Sequence, residues 1–163
     1  MKHTISVDLS EKGIDRLSKK LDEYERWIKR KTTKLVNALA ERGCHLSQIY
    51  FSTATYDGDN DVKVTVKKRG EHAAAVIATG KATLFIEFGA GYMMGYGHPE
   101  PQEYGPGTYP GQTHAFDPNG WYFTDSGGNK VHSFGNPPAA PMYVTVKDLE
   151  MELEKIAQEV FAD

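Results

Sequence analysis

The stretch LFIEFGAGYMMGYG, residues 84–97, closes an apolar run with Gly89-x-Gly91-x-x-x-Gly95, close to the spacing of a dinucleotide-binding fingerprint. Such glycines bind a pyrophosphate only when a helix starts behind them and aims its N-terminal amides at the phosphates. Here Pro99, Pro101, Pro106 and Pro110 follow. Each removes an amide donor and opposes helical geometry. Nothing after Gly97 supplies the rest of a βαβ unit, so neither a nucleotide nor any other cofactor is expected.

Other residues invite chemistry and are weighed the same way. Cys44 and His45 place a thiol beside an imidazole, but neighbours on a helix diverge by about 100°. Cys44 therefore reads as a small core residue. His3, His72, His98, His114 and His132 lack the short paired spacing of a zinc site. His98 and His114 share one loop and meet only if it folds on itself, and no metal is expected. Glu87 is the one acid inside an apolar run, between Ile86 and Phe88. It reads as structural, paired with a basic residue or with backbone amides, because no second carboxylate is patterned with it as acid–base catalysis requires.

These residues must be positioned by the elements around them. His3–Asp8 alternates and reads as a short strand, and Ser10 as an N-cap. Ile14, Leu17, Leu21, Tyr24 and Ile28 recur every three and four residues, which predicts an amphipathic helix with one core-facing stripe. Leu35, Leu39 and Leu46 extend it past a weak spot at Thr32–Thr33, with Gly43 as a cap or kink. The helical region reaches Tyr50–Phe51 in one or two pieces. The turn cluster Tyr56–Asp61 leads into Val62–Lys67, which pairs with Ala73–Thr79 as a hairpin. Leu84–Phe88 is too short for periodicity to separate a strand from a helical turn. A second hairpin joins Trp121–Thr124 to Val131–Phe134. Pro141 opens a last helix with a stripe of Met142, Val146, Leu149, Leu153, Ile156 and Val160. The expected class is α+β: an antiparallel sheet of hairpins, packed by the long N-terminal helix or helices and the C-terminal helix.

Between them lies a long Gly/Pro/Tyr-rich loop, residues 89–120. A connection of that length is functional or disordered, and it is expected to be mobile within a single domain spanning 1–163. Its Tyr92, Tyr96, Tyr104, Tyr109 and Phe116, followed by Trp121, Tyr122 and Phe123, suit a contact surface. No Lys or Arg lies between Lys81 and Lys130, so the loop is not expected to hold nucleic acid.

The chain has 163 residues, a net charge of −3 and one cysteine. That excludes an internal disulfide and fits a reducing compartment. The start MKHTISVDLS shows no apolar signal region, and no run is long enough to span a membrane. Residues 1–42 carry 11 Lys/Arg against 7 Asp/Glu, whereas residues 142–163 carry 2 against 6. These ends read either as solvated helix faces or as faces that meet, within a subunit or between neighbours. On the second reading Glu150, Glu152 and Glu154 join the candidate assembly surface.

FIEFGAG at 85–91, the Gly/Pro/Tyr loop, GWYF at 120–123 and GNPPAAPMY at 135–143 before an amphipathic helix together resemble a phage family. The chain is similar to the tail-completion (minor tail, head–tail joining) proteins of long-tailed phages and prophages. TATYDGDNDVKV at 53–64 also resembles the first strand region of that family's Gram-positive members. The resemblance covers residues 53–160, with Ala90 where the family often has Thr or Ser. It implies a structural, non-enzymatic subunit of the virion, made in the host cytoplasm. That subunit would form a homo-oligomeric ring, joining the tail tube to the head-proximal neck proteins without membrane or sequence-specific nucleic-acid contact. It further implies that Glu87, Phe88, Gly89 and Gly91 form a sharp turn with Gly89 and Gly91 at positive φ. Trp121 and Pro141 would anchor the hairpin and the last helix to the core. The alternative is a carbohydrate-binding or cell-wall-degrading module that uses the aromatic loop.

Overall fold

A computed structural model describes residues 6, 8, 10–91, 94, 95, 97–99, 112–114 and 116–162. The first-strand expectation at His3–Asp8 lies largely outside them, as do Tyr92, Tyr96, Tyr104 and Tyr109 of the loop. The chain runs α1 (Glu11–Thr53), β1 (Lys63–Lys68), β2 (Ala74–Thr79), α2 (Thr83–Phe88), β3 (Trp121–Thr124), β4 (Lys130–Ser133) and α3 (Pro141–Ala162). This is a mixed α+β chain. Its hairpins do not merge into one sheet: β1–β2 and β3–β4 form two separate two-stranded antiparallel sheets. The run at 84–88 resolves as a helical turn.

α1 is one helix of 43 residues. The Ser10 hydroxyl accepts from Gly13 N at 3.1 Å, satisfying an amide with no partner inside the helix. No Gly or Pro falls between Ile14 and Arg42, and Thr33 turns its hydroxyl back to the Lys29 carbonyl at 3.0 Å, so the weak spot does not break the helix. Gly43 does not cap it, since the helix runs on to Thr53. A Cβ there would sit 3.0 Å from Leu149 Cδ1 and 3.3 Å from Val76 Cγ2. At Gly43, Leu149 of α3 and Val76 of β2 both pack close against α1.

α3 lies antiparallel along the second half of α1, as the order of contacts shows. Tyr50 bonds Asp148, Ser47 meets Thr145 at 3.0 Å, Arg42 grips Glu152 and Trp27 packs edge-on against Phe161. The side of α3 turned to α1 is therefore Thr145, Leu149, Glu152 and Ile156. Val146 and Leu153, expected in the core stripe, are exposed. A period of 3.6 fixes which residues share a face, but the partner's crossing decides which edge is covered. The N-terminal stripe differs in the same way: Ile14, Leu21, Tyr24 and Ile28 are exposed, because α3 ends beside Trp27.

The core is small and sits where the two halves join: Phe51, Val64, Ala82 and Ile86 are buried together, with Cys44, Val76 and Met142 against them. Cys44 Sγ donates to the Val64 carbonyl at 3.6 Å, and His45 points to solvent.

The YDGDND cluster is a hub. Asn60 Nδ2 donates to the Phe51 carbonyl at the end of α1. Asp61 accepts from the Lys81 and Ala82 amides, both at 2.9 Å, at the start of α2. Asp59 accepts from Ser126 N and Oγ, and Asp57 from Ser133 Oγ, which ties on the second hairpin. The Ala82 and Lys81 amides hold the Asp61 carboxyl below its usual range. A carboxyl depressed on folding contributes stability that is complete above its unfolded pKa of about 3.9 and is lost as pH falls through the folded value. Melting temperature should therefore hold from pH 7 to about pH 4 and fall below it. Asp61→Asn should flatten that acid limb; an unchanged limb in the variant would remove Asp61 as its source.

Candidate functional site

The two motif blocks, FIEFGAG and GNPPAAPMY, lie some 45 residues apart in sequence and meet in one junction. The carbonyls at the end of α2 have no partners within it, as at any helix C-terminus. Asn136 Nδ2 donates to Phe85 O at 2.9 Å, Ala139 N to Ile86 O at 2.9 Å and Ala140 N to Glu87 O at 3.2 Å. Beyond α2 the chain turns through Gly89 at φ 77° and Gly91 at φ 83°. Ala90 and Asn136 then exchange a pair of backbone hydrogen bonds at 2.9 and 3.0 Å. Gly135 lies beside that bridge at φ 100°.

Glu87 completes the junction. It is only 6% exposed, and its two carboxylate oxygens accept from Met142 N at 2.8 Å and Tyr143 N at 3.2 Å. Pro141 is the first residue of α3, so these are the N2 and N3 amides that an N-cap side chain normally takes. Ala140 stands at the cap position with φ 49° and no polar side chain, and Glu87 supplies the acceptor from another helix. His98 Nε2 lies 3.5 Å from Glu87 Oε1, and its ring packs 4.6 Å from that of Phe88. At the other end of α3, Lys31 is 2% exposed and its ammonium donates to the Val160 carbonyl at 2.7 Å. α3 has no acid in its own first turn and no base in its last. Both charges that complement its dipole come from other elements. Lys31 was not singled out in the sequence; a lysine inside an otherwise apolar helical face is the only signal that could have marked it.

Among the described residues Glu87 has no second carboxylate beside it, and both its oxygens are engaged by amides. Among those residues no group of three His, Cys, Asp or Glu could hold a metal, and no helix is long and apolar enough to cross a membrane. The fingerprint glycines follow a helix rather than a strand, and Gly95 N donates to Gly91 O in a turn.

The fold also presents apolar and aromatic side chains outward. On the outer side of β3–β4, Tyr122 stacks on His132 at 4.4 Å, and His132 sits 4.6 Å from Phe134. Tyr122 and Phe134 are 61% and 53% exposed, and Lys130 Nζ lies 4.7 Å from the Tyr122 ring. Phe116 is exposed beside the hairpin's sequence start. On the inner side, half-buried Trp121 and Phe123 join Tyr56 and Phe85 around a pocket of about 230 Å³ with Asp57 at its rim. Trp121 is thus a pocket wall, whereas Pro141 is fully buried.

The acidic residues of α3 divide. Glu152 is bound to Arg42 of the same chain through two hydrogen bonds at 2.7 and 2.6 Å, and the Arg42 guanidinium holds its carboxyl below the usual range. It leaves the candidate assembly surface, and reversing its charge would strain the α1–α3 seam as well as any contact outside. Glu150 and Glu154 point outward and, among the described residues, bond along their own helix to Lys147 and Gln158.

No protein-family model matches the chain, and no curated protein or solved structure is significantly similar to it.

Proposed function

We propose that this chain is a structural subunit of a phage tail or neck, forming a ring that joins the tail tube to the head-proximal connector. The observation that carries the reading is how the motif residues are used. Two blocks of the family resemblance, FIEFGAG and GNPPAAPMY, are consumed in one hydrogen-bonded backbone junction, with Glu87 acting as a cap rather than an acid. A junction of that kind suits a part that must hold its shape inside an assembly. The outward apolar residues on three separate elements suit contact with several neighbours. Within a ring, weak contacts repeated around the circle become strong through effective concentration.

Deleting the gene from the phage or prophage that carries it is the test. Electron microscopy of the lysate should show filled heads and tails that are not joined. Normally joined particles would overturn the reading.

The Tyr122–His132–Phe134 ladder favours a second reading, a carbohydrate-binding module, because flat exposed rings stack on sugars. Retention of the protein on cell-wall glycan, abolished by Tyr122→Ala, would support it. The pocket lies on the opposite side of the hairpin from the ladder and gives this reading no support. At about 230 Å³ it is below the roughly 300–1,000 Å³ of ordinary ligand sites and admits one side chain rather than an oligosaccharide.

A further inference from the structure

Among the described residues, α3 stops short of the first third of α1. α3 ends beside Trp27 through the Trp27–Phe161 contact, 5.7 Å between ring centroids. Residues 11–26 continue beyond it as an arm about 24 Å long at 1.5 Å per residue. Along that arm and just past its base, Ile14, Leu17, Leu21, Tyr24 and Ile28 keep strict three–four spacing. Ile14 is 53% and Tyr24 51% exposed, with Leu21 and Ile28 also open to solvent. A strict stripe of this width is the seam of helix-on-helix packing, not the broader face of a helix lying on a core. One border of the stripe carries Lys20, whereas Arg16, four residues before it, is paired with Asp8 at 3.6 Å. On the other, Glu25 and Lys29 neutralise each other at 2.6 Å.

The same chain carries a face of matching character. On the outer edge of α3, Val146 and Leu153 are exposed and seven residues apart, hence on one side of the helix. Glu150, paired with Lys147 of its own helix at 3.0 Å, lies between them, and exposed Glu154 lies beside them. Apolar meets apolar, and Lys20 beside one stripe meets Glu154 beside the other. The two faces cannot meet within one chain. The arm is continuous with the part of α1 that α3 already covers, and no Gly or Pro between Ile14 and Arg42 allows it to fold back.

We propose that the arm of one copy docks its Ile14–Ile28 stripe on the Val146–Leu153 edge of α3 in the next copy. The contact joins two different faces, so it is heterologous and propagates head to tail, which closes into a ring when the rotation permits. It supplies the neighbour contact of the ring and in that sense rests on the subunit reading above. One such helix pair is smaller than the roughly 1,600 Å² of a stable standard interface. A single contact is therefore weak and is seen only at high concentration.

The experiment is sedimentation velocity on the full chain up to about 0.5 mM, where contacts too weak to saturate at micromolar concentration become populated. Wild type is compared with an arm variant (Leu21→Glu, Tyr24→Glu) and an edge variant (Val146→Glu, Leu153→Glu). All four positions are exposed, and circular dichroism checks that each variant keeps its fold. Wild type should form dimers and larger species with rising concentration. Each variant alone should lose association. An equimolar mixture should form one-to-one dimers and nothing larger, because it retains one intact arm and one intact edge. Wild type that stays monomeric, either variant associating as wild type does, or a mixture that stays monomeric overturns the contact. The subunit reading stands or falls separately on whether particles from the deleted phage are joined.

Discussion

Gly135→Ala is expected to be the most damaging single methyl group that can be added to this chain. The new Cβ would lie 1.9 Å from the Ala90 carbonyl oxygen and 2.6 Å from its carbon, at a backbone φ of 100°. Those atoms belong to backbone held by the Ala90–Asn136 bridge, so no flexible side chain can give way. The bridge must open, and with it the Asn136 bond to the end of α2. A cost above about 4 kcal/mol follows, the class reached only when a named structural feature is destroyed. For a chain of this size that lowers the melting temperature by roughly 8–16 °C. Gly128 separates strain from collision: its φ is 82° but nothing lies within 4 Å of the added Cβ. Gly128→Ala should cost only the left-handed penalty of about 1–2 kcal/mol, and Gly70→Ala, in open space at an ordinary φ, almost nothing. Thermal melts of the three variants decide the matter. A Gly135→Ala melt no lower than that of Gly128→Ala would show that the bridge is not rigid.

Glu87→Ala should come next. The substitution leaves the Met142 and Tyr143 amides without their acceptor in a buried place and removes the negative charge from the positive end of α3. Hydrogen bonds to a charged group are worth roughly 1.5–3 kcal/mol, and unsatisfied buried donors set the scale of the loss. About 3 kcal/mol is expected. Glu87→Gln keeps one acceptor oxygen and turns an amide donor toward the other N–H, so it should fall between wild type and Ala. Denaturation midpoints give the order. Amide exchange at Tyr143 and Val144 localises the effect, since fraying should begin at the start of α3. Unchanged stability in Glu87→Ala would end the capping account and reopen the carboxyl for another role.

Both experiments bear on why the opening motif was hard to read. The glycine spacing around Gly89 is shared by nucleotide loops and by tight backbone crossings, because both need a close approach with no Cβ. The prolines after Gly97 excluded the first. They could not show that Gly89 and Gly91 face the segment Phe134–Pro138, since partners 45 residues away leave no periodic trace. Glu87 was recognisable as a structural acid from its apolar neighbours, but the amides it takes belong to a helix whose own sequence shows no lack. The acidic run on α3 was legible as charge and not as direction. Glu152 faces Arg42, whereas Glu150 and Glu154 face outward, and the crossing of α3 over α1 makes that choice.

Local physics in the sequence determined the elements. Ser10 starts α1 and the absence of Gly and Pro carries it through to Arg42. The alternation of Val62, Val64 and Val66 with a turn after it makes a hairpin, DSGGNK makes another, and Pro141 opens α3. These are short-range effects, set by φ, by capping and by side-chain period, and they act before any partner is present. Only the tertiary structure decided which apolar stripe would be covered, because a stripe specifies a face and not its occupant. It also decided how α3 is terminated. That helix has neither an acid at its start nor a base at its end. Glu87 and Lys31 reach it from α2 and α1, and a charge supplied through space, across 55 residues in one case and 129 in the other, obeys distance and dielectric rather than sequence separation.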